Sequence, residues 1–415
     1  MMRKIIILLI LSQNLTLNAQ VLQLDTILSA IENNPELQMY DAQANALNTY
    51  AKGAKAWEAP QIGGGFWMTP YNPAMWKADN TGYNGMGMFM IQGQQVIPNS
   101  AKLKANKEYM ESMSAVETAN KSFARNELFV KAKITYYEWV ILKKKLFVLN
   151  EQEQLMNYVI KTSEIRYPYQ QEKLNSIYKA KANLAEIQSM RLMFESEMSW
   201  RRVYLNQLMN RDKSMEFEVD TSISIQSYEQ LHTNTSALIA NRSDLAAIDK
   251  NIQVSKYKQQ YERSRLKPDF SIQYGHMFSF GNNANLFTLM GMASIPIAPW
   301  SSKMYKSTVM GLHYEIQGYQ KQKDAIINEA TGMLESLKYR ISSQKRQIDM
   351  YNKSIIPALE KNYRTSLLAY EQNTEDLFVV LEALQALQLS KMEALNKQQE
   401  LLNLQIEYEK TIEQK

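Results

Sequence analysis

Between residues 268 and 300 the chain alternates apolar and polar positions with a period of two. Phe270, Ile272, Tyr274, Phe278 and Phe280 fall on one side, with Ser271, Gln273, Gly275 and Ser279 on the other. This is the pattern of a β-strand with one apolar and one wet face. Gly281, Asn282 and Asn283 carry turn chemistry, because Gly and Asn tolerate positive φ. A second run alternates Phe287, Leu289, Ala293 and Ile295 with Thr288, Met290, Met292 and Ser294, and Pro296 and Pro299 close the pair. Strands are expected over about 269–280 and 286–297. A tilted strand of about 9–11 residues spans a bilayer, so each is long enough. Two strands cannot cover their own edges, so this hairpin needs partners.

The first half of the chain supplies a similar pair. Asn34-Pro35-Glu36-Leu37 lies over Arg242-Ser243-Asp244-Leu245, and Leu37 to Pro60 and Leu245 to Pro268 are both 23 residues apart. Strand-like runs follow each proline, over about 61–69 in the first copy, and a second strand over about 84–97 ends at Ile97-Pro98 as the other ends at Ile295-Pro296. Tyr167 to Ala180 lies over Tyr370 to Ala383. The spacing therefore predicts an internal repeat, with residues 20–212 and 229–415 as its copies and a polar, β-leaning connector over 213–228. Tryptophans and tyrosines at the strand ends (Trp67, Tyr71, Trp76, Trp300) suit a membrane-interface belt, though ordinary aromatic packing would also accommodate them.

The flanks read as long helices. Residues 22–56 have apolar positions near helical spacing, with Pro35 as a kink or a new start. From Ala101 to about Arg166 there is neither Pro nor Gly, enough for a helix of ~100 Å at 1.5 Å per residue. Tyr167-Pro168-Tyr169 breaks it, and a return helix runs from about Lys173 to Met209. Residues 229–266 repeat the first helix. Met304 to about Ala369 forms another long helix, with mild interruptions expected at Gly311, Gly318, Gly332 and Pro357. Residues 375–409 return, with Leu377, Leu381, Leu384, Leu395, Leu402 and Ile406 on a heptad-compatible seam.

Composition narrows the function classes. The chain of 415 residues has 47 basic and 42 acidic side chains, with no clustered basic face, so no nucleic-acid partner is expected. The absence of cysteine excludes disulfides, a thiol nucleophile and Cys-zinc sites. Arg3-Lys4, the apolar run Ile5 to Leu11 and the small-residue site Leu17-Asn18-Ala19 read as an export signal over residues 1–19. His232, His276 and His313 are scattered, and no HExxH, GxSxG, Walker or GxGxxG pattern occurs, so neither enzyme, cofactor nor histidine metal site is expected. Methionine is abundant: Met86, Met88 and Met90, with Met277, Met290 and Met292, read either as flexible apolar filling or as soft ligands lining a path. The two helix breaks carry Gln170, Gln171 and Glu172 in the first copy, and Glu371, Gln372, Asn373, Glu375 and Asp376 in the second. Ringed about a symmetry axis, they would form an opening that favours cations. As simple solvated turns they would do nothing, with Asp376 capping the returning helix.

Two strand pairs, two long helical hairpins, an export signal and the repeat together resemble the TolC family of outer-membrane efflux channels. The matching positions are Asn34 to Leu37, the strand starts at Pro60 and Pro268, the exits at Ile97-Pro98 and Ile295-Pro296, and Tyr370, Leu377 and Leu381 to Ala383. Gly93 to Asn106 is similar to the strand-to-helix passage of the heavy-metal branch, the CusC/CzcC-like channels. The resemblance implies a mainly α fold with a small β part, assembled as a trimer. Its 12-stranded β-barrel would lie in outer-membrane lipid and continue as a periplasmic α-helical barrel. It implies a passive exit duct for metal ions or drugs, served by a periplasmic adaptor and an inner-membrane RND pump. A polypeptide secretion duct and a periplasmic coiled-coil scaffold are the alternatives. Relatives often carry Gly in the helical turns, where this chain has Gln170 and Asn373.

Overall fold

The computed structural model describes residues 21–77, 85–222, 240–280 and 283–413. The expected export signal, His232, Gly281, Asn282 and the end of the connector from residue 223 lie outside the described residues. The chain divides into two compact units: Met1–Gln38, Ala124–Asn241 and Ala330–Lys415 in one, Met39–Phe123 and Arg242–Glu329 in the other.

The second of these units holds a four-stranded antiparallel sheet in the order β2-β3-β5-β6. Its strands are β2 (Gln61–Phe66), β3 (Met88–Ile97), β5 (Asp269–Ser279) and β6 (Leu286–Ser294). All four expected strands are present, each shorter at one end than the alternation suggested. Trp67 already bonds to Met88 O by a single N–H, and Met68 has φ 48°, which ends β2. The central pairing joins the two hairpins: Phe89 faces Phe278, Ile91 faces His276 and Ile97 faces Phe270. Register then assigns every side chain to a face. One face carries Ile62, Phe66, Phe89, Ile91, Phe270, Ile272, Tyr274, Phe278, Phe287 and Leu289. Most of it is open to solvent in the single chain, with Ile62 80%, Phe287 69% and Leu289 67% exposed. The other face carries Gln61, Gln92, Gln94, Ser271, Gln273 and Thr288, with Gln273 Nε2 donating to Gln92 Oε1 at 2.8 Å.

Aromatic rings collect at the loop end of the apolar face. Trp76 packs on Phe66 at 5.0 Å and stacks on Phe280 at 5.9 Å at the loop end, and its indole N–H donates to Pro70 O. Trp57 and Trp300 stand exposed at the helix end. The helix-to-strand junction is pinned by Lys102 to Asp269 at 2.5 Å and by Asn106 Nδ2 to Ala54 O at 3.0 Å.

The expected helix over 22–56 is two helices, α1 (Leu24–Ile31) and α2 (Pro35–Lys52). Pro35 takes the first helical position, where its missing N–H costs nothing. Asn34 Oδ1 accepts from Glu36 N, while Asn34 Nδ2 donates to Leu208 O at 2.8 Å. The helices α3 (Ser100–Arg166) and α4 (Leu174–Leu208) fall where the absence of breakers put them. In the connector, β4 (Glu218–Val219) pairs in parallel with β1 (Val21–Leu22), and Phe217 is buried against Trp139 at 5.0 Å.

In the second half α5 (Ser243–Ser264) leads to the sheet, and α6 (Pro299–Met350) leaves it. The glycines expected to interrupt α6 do not: Gly311, Gly318 and Gly332 sit mid-helix with open space where a Cβ would stand. Pro357 does mark a change. It offers no N–H to the carbonyl four residues back and crowds it. The helix relieves this with one wide π turn, Tyr351–Ile355, before α7 (Ile356–Glu371). The return helix is α8 (Leu377–Ile412). Its heptad seam packs as expected, with Leu377, Leu381 and Leu384 joining Leu149, Val159 and Ile187 of α3 and α4 in one core. Leu395 alone of that seam is only partly buried.

Candidate functional site

Both helix breaks belong to the same compact unit, and the fold brings them side by side. Each is the same device. Gln170 N–H bonds to Tyr167 O and Gln171 N–H to Arg166 O; Asn373 N–H bonds to Tyr370 O and Thr374 N–H to Ala369 O. These are the paired bonds of a Schellman stop, which needs a left-handed residue after the helix. Gln170 supplies it with φ 62° and Asn373 with φ 59°. The turns therefore adopt this geometry without a glycine, at a strain of about 1 kcal/mol for Gln and less for Asn.

Between the turns lies a small polar network. Tyr370, 2% exposed, donates its hydroxyl to Glu172 Oε2 at 2.7 Å and meets Ser163 Oγ at 3.1 Å. Glu172 is 9% exposed, and its Oε1 accepts from Lys173 N at 2.8 Å. Arg166 lies over the Tyr370 ring at 4.3 Å and donates to Tyr370 O at 2.7 Å. Burial, with the Glu172 carboxylate bonded to it, pushes the Tyr370 phenol up to about 12. Lys173 Nζ reaches Asp376 Oδ2 at 3.0 Å. These two occupy equivalent places in the overlay of Tyr167–Ala180 on Tyr370–Ala383.

The expected site residues thus split by role. Glu172 is a buried acceptor. Asp376 stands at the start of α8 but makes no side-chain capping bond, because its carboxylate is turned to Lys173. Glu371 is exposed and accepts from Tyr158 at 2.9 Å. Glu375, which overlays Glu172, is exposed and makes no side-chain bond among the described residues. Gln170, Gln171 and Asn373 are exposed at the tip. Sequence reasoning missed Arg166, Ser163 and Tyr370. They lie on helix ends about 200 positions from their partners, and only the repeat overlay hinted that the two turns share geometry.

Among the described residues no group of three or more His, Asp or Glu is placed to hold a metal ion, and no helix is long and apolar enough to cross a membrane. The sequence matches no family model and no curated protein. Solved structures do match. The outer membrane protein VceC from Vibrio cholerae aligns with TM-score 0.73 at 14% identity, over 94% of this chain and 95% of that one. The outer membrane channel CmeC of Campylobacter jejuni gives TM-score 0.72 at 14% identity, over 94% and 85%. CusC, described for transmembrane channel formation, gives TM-score 0.70 at 14% identity, over 94% and 92%. The fold of this chain is the TolC-like fold of outer-membrane channels.

Proposed function

We propose that this protein is the passive outer-membrane duct of a tripartite efflux system in a Gram-negative bacterium. The observation that carries this reading is the sheet. It has an exposed apolar face, an aromatic cluster at the loop end of that face, and two edges, β2 and β6, unpaired among the described residues. Four strands cannot close on themselves, and open edges are not stable in lipid. Three copies joined β6 to β2 would make a closed barrel of about twelve strands with its glutamine face inside. The helices would continue the barrel into the periplasm as a repeat of two hairpins per chain. A periplasmic adaptor and an inner-membrane RND pump would deliver substrate and energy. Metal ions or drugs are the cargo class, and the heavy-metal resemblance of Gly93 to Asn106 favours metals. The paired turns would narrow the periplasmic end, with Gln170, Gln171, Glu371, Asn373, Glu375 and Asp376 at the opening and Glu172 beneath.

The test is a charge on the apolar face. Phe287→Arg places a cation where lipid is expected, at a cost of about 2–4 kcal/mol near mid-bilayer. The wild type is expected as a heat-modifiable trimer in outer membranes that needs detergent for extraction, and the variant at a small fraction of that yield. Wild-type protein extracted without detergent, or equal trimer yield from the variant, rejects the duct.

A further inference from the structure

All five methionines of the sheet lie on one face. Register places Met88, Met90, Met277, Met290 and Met292 with the glutamines and serines, beside Val96 and Leu286 and opposite the face of Phe270, Ile272, Phe287 and Leu289. Five methionines outnumber the other aliphatic residues of that face, Val96 and Leu286, so apolar filling alone does not account for them. The thioether offers a different use, as a soft ligand that favours monovalent copper-like ions. Met90 and Met277 are direct cross-strand partners. Such partners have Cβ atoms about 4.5–5.5 Å apart, within reach of one ion for two long side chains. The Met90 sulfur lies across β5, 3.3 Å from where a Cβ on Gly275 would stand, so the glycine makes its room. Met277 is 8% exposed, and Met88 precedes Met90 by two residues on the same face.

We propose that Met90 and Met277, with Met88 as a third sulfur, form a binding site for a soft monovalent cation, silver(I) or copper(I). The oxygen donors beside the cluster, Ser279 opposite Met88 and Gln92 opposite Gly275, are neutral. The chain has no cysteine. His276 is on the opposite face beside Ile91 and Phe287. Asp269 shares the thioether face but sits at the far end of β5, paired with Lys102. Without imidazole or carboxylate the donor set disfavours zinc(II) and copper(II). That the site faces a conducting lumen rests on the duct reading; that it binds the ion does not.

The test is titration of the purified, detergent-solubilised full-length protein with silver nitrate in chloride-free buffer, followed by calorimetry. Wild type is expected to bind silver at one high-affinity site per chain, with no heat from zinc(II). Met90→Leu/Met277→Leu, close to isosteric, is expected to weaken that site at least tenfold. Gly275→Ala, which removes no sulfur, is expected to weaken it several-fold by displacing Met90. Met193→Leu/Met350→Leu, on exposed helix positions, is expected to bind as wild type. Wild-type protein without a silver site, a double variant that binds silver as tightly as wild type, or zinc binding at equal strength overturns the proposal. Trimer yield, measured on the same samples, reports separately on the duct and on folding of the variants.

Discussion

Tyr370→Phe removes one oxygen from the centre of the paired turns. The ring stays, so the Arg166 stacking at 4.3 Å and the Arg166 bond to Tyr370 O at 2.7 Å are retained. What is lost is the 2.7 Å bond to Glu172 and the 3.1 Å contact with Ser163. A hydrogen bond to a charged group is worth about 1.5–3 kcal/mol, and Glu172, 9% exposed, has little water to replace it. We expect a loss of about 2 kcal/mol in local stability, close to a 30-fold rise in the population of separated turns. Amide hydrogen exchange over residues 163–176 and 366–380 is the direct assay. Exchange there should rise about 30-fold, while the α5 and sheet amides stay unchanged. Planar-bilayer conductance should show more frequent opening if the turns form the constriction. Glu172→Gln keeps an acceptor for the hydroxyl and should lie between wild type and Tyr370→Phe. Unchanged exchange at both turns in Tyr370→Phe would refute the claim that this bond holds them together.

Three further outcomes are expected. Gln170→Gly should stabilise the first turn by up to about 1 kcal/mol, read as slower exchange, because φ 62° suits glycine better than glutamine; faster exchange would show that the Gln170 side chain contributes more than its backbone strain. Replacing Glu371, Glu375 and Asp376 together by amides should lower cation preference in reversal-potential measurements, and replace the 3.0 Å ion pair of Lys173 by a neutral acceptor; unchanged selectivity would discard the gate assignment. Tyr136 and Tyr370 should ionise late, near pH 12, in an ultraviolet titration. The sign follows from linkage: a phenol raised from 10 to about 12 stabilises the fold fully below pH 10, and that stability drains between pH 10 and 12. Tyr370→Phe should reduce the late phase by one group, and an unchanged late phase would remove Tyr370 from it.

The amino-acid sequence by itself determined the elements. Alternation in β5 and β6 and the 67-residue helix α3 are local periodicities, and a side chain two or four positions away is enough to write them. Proline likewise acts locally, as at Pro35 and Pro357, whereas Gly311, Gly318 and Gly332 did not break α6 because flanking turns outweigh one flexible residue. The polar character of both helical turns was legible for the same reason. Only the tertiary structure decided partners. The pairing of β3 with β5, which joins the two hairpins into one sheet, depends on register between segments about 180 residues apart. So does the fate of equivalent carboxylates: Glu172 is buried under Tyr370, while Glu375 meets water. Partner choice is set by packing and shared burial across the whole unit, and no window of sequence contains that sum.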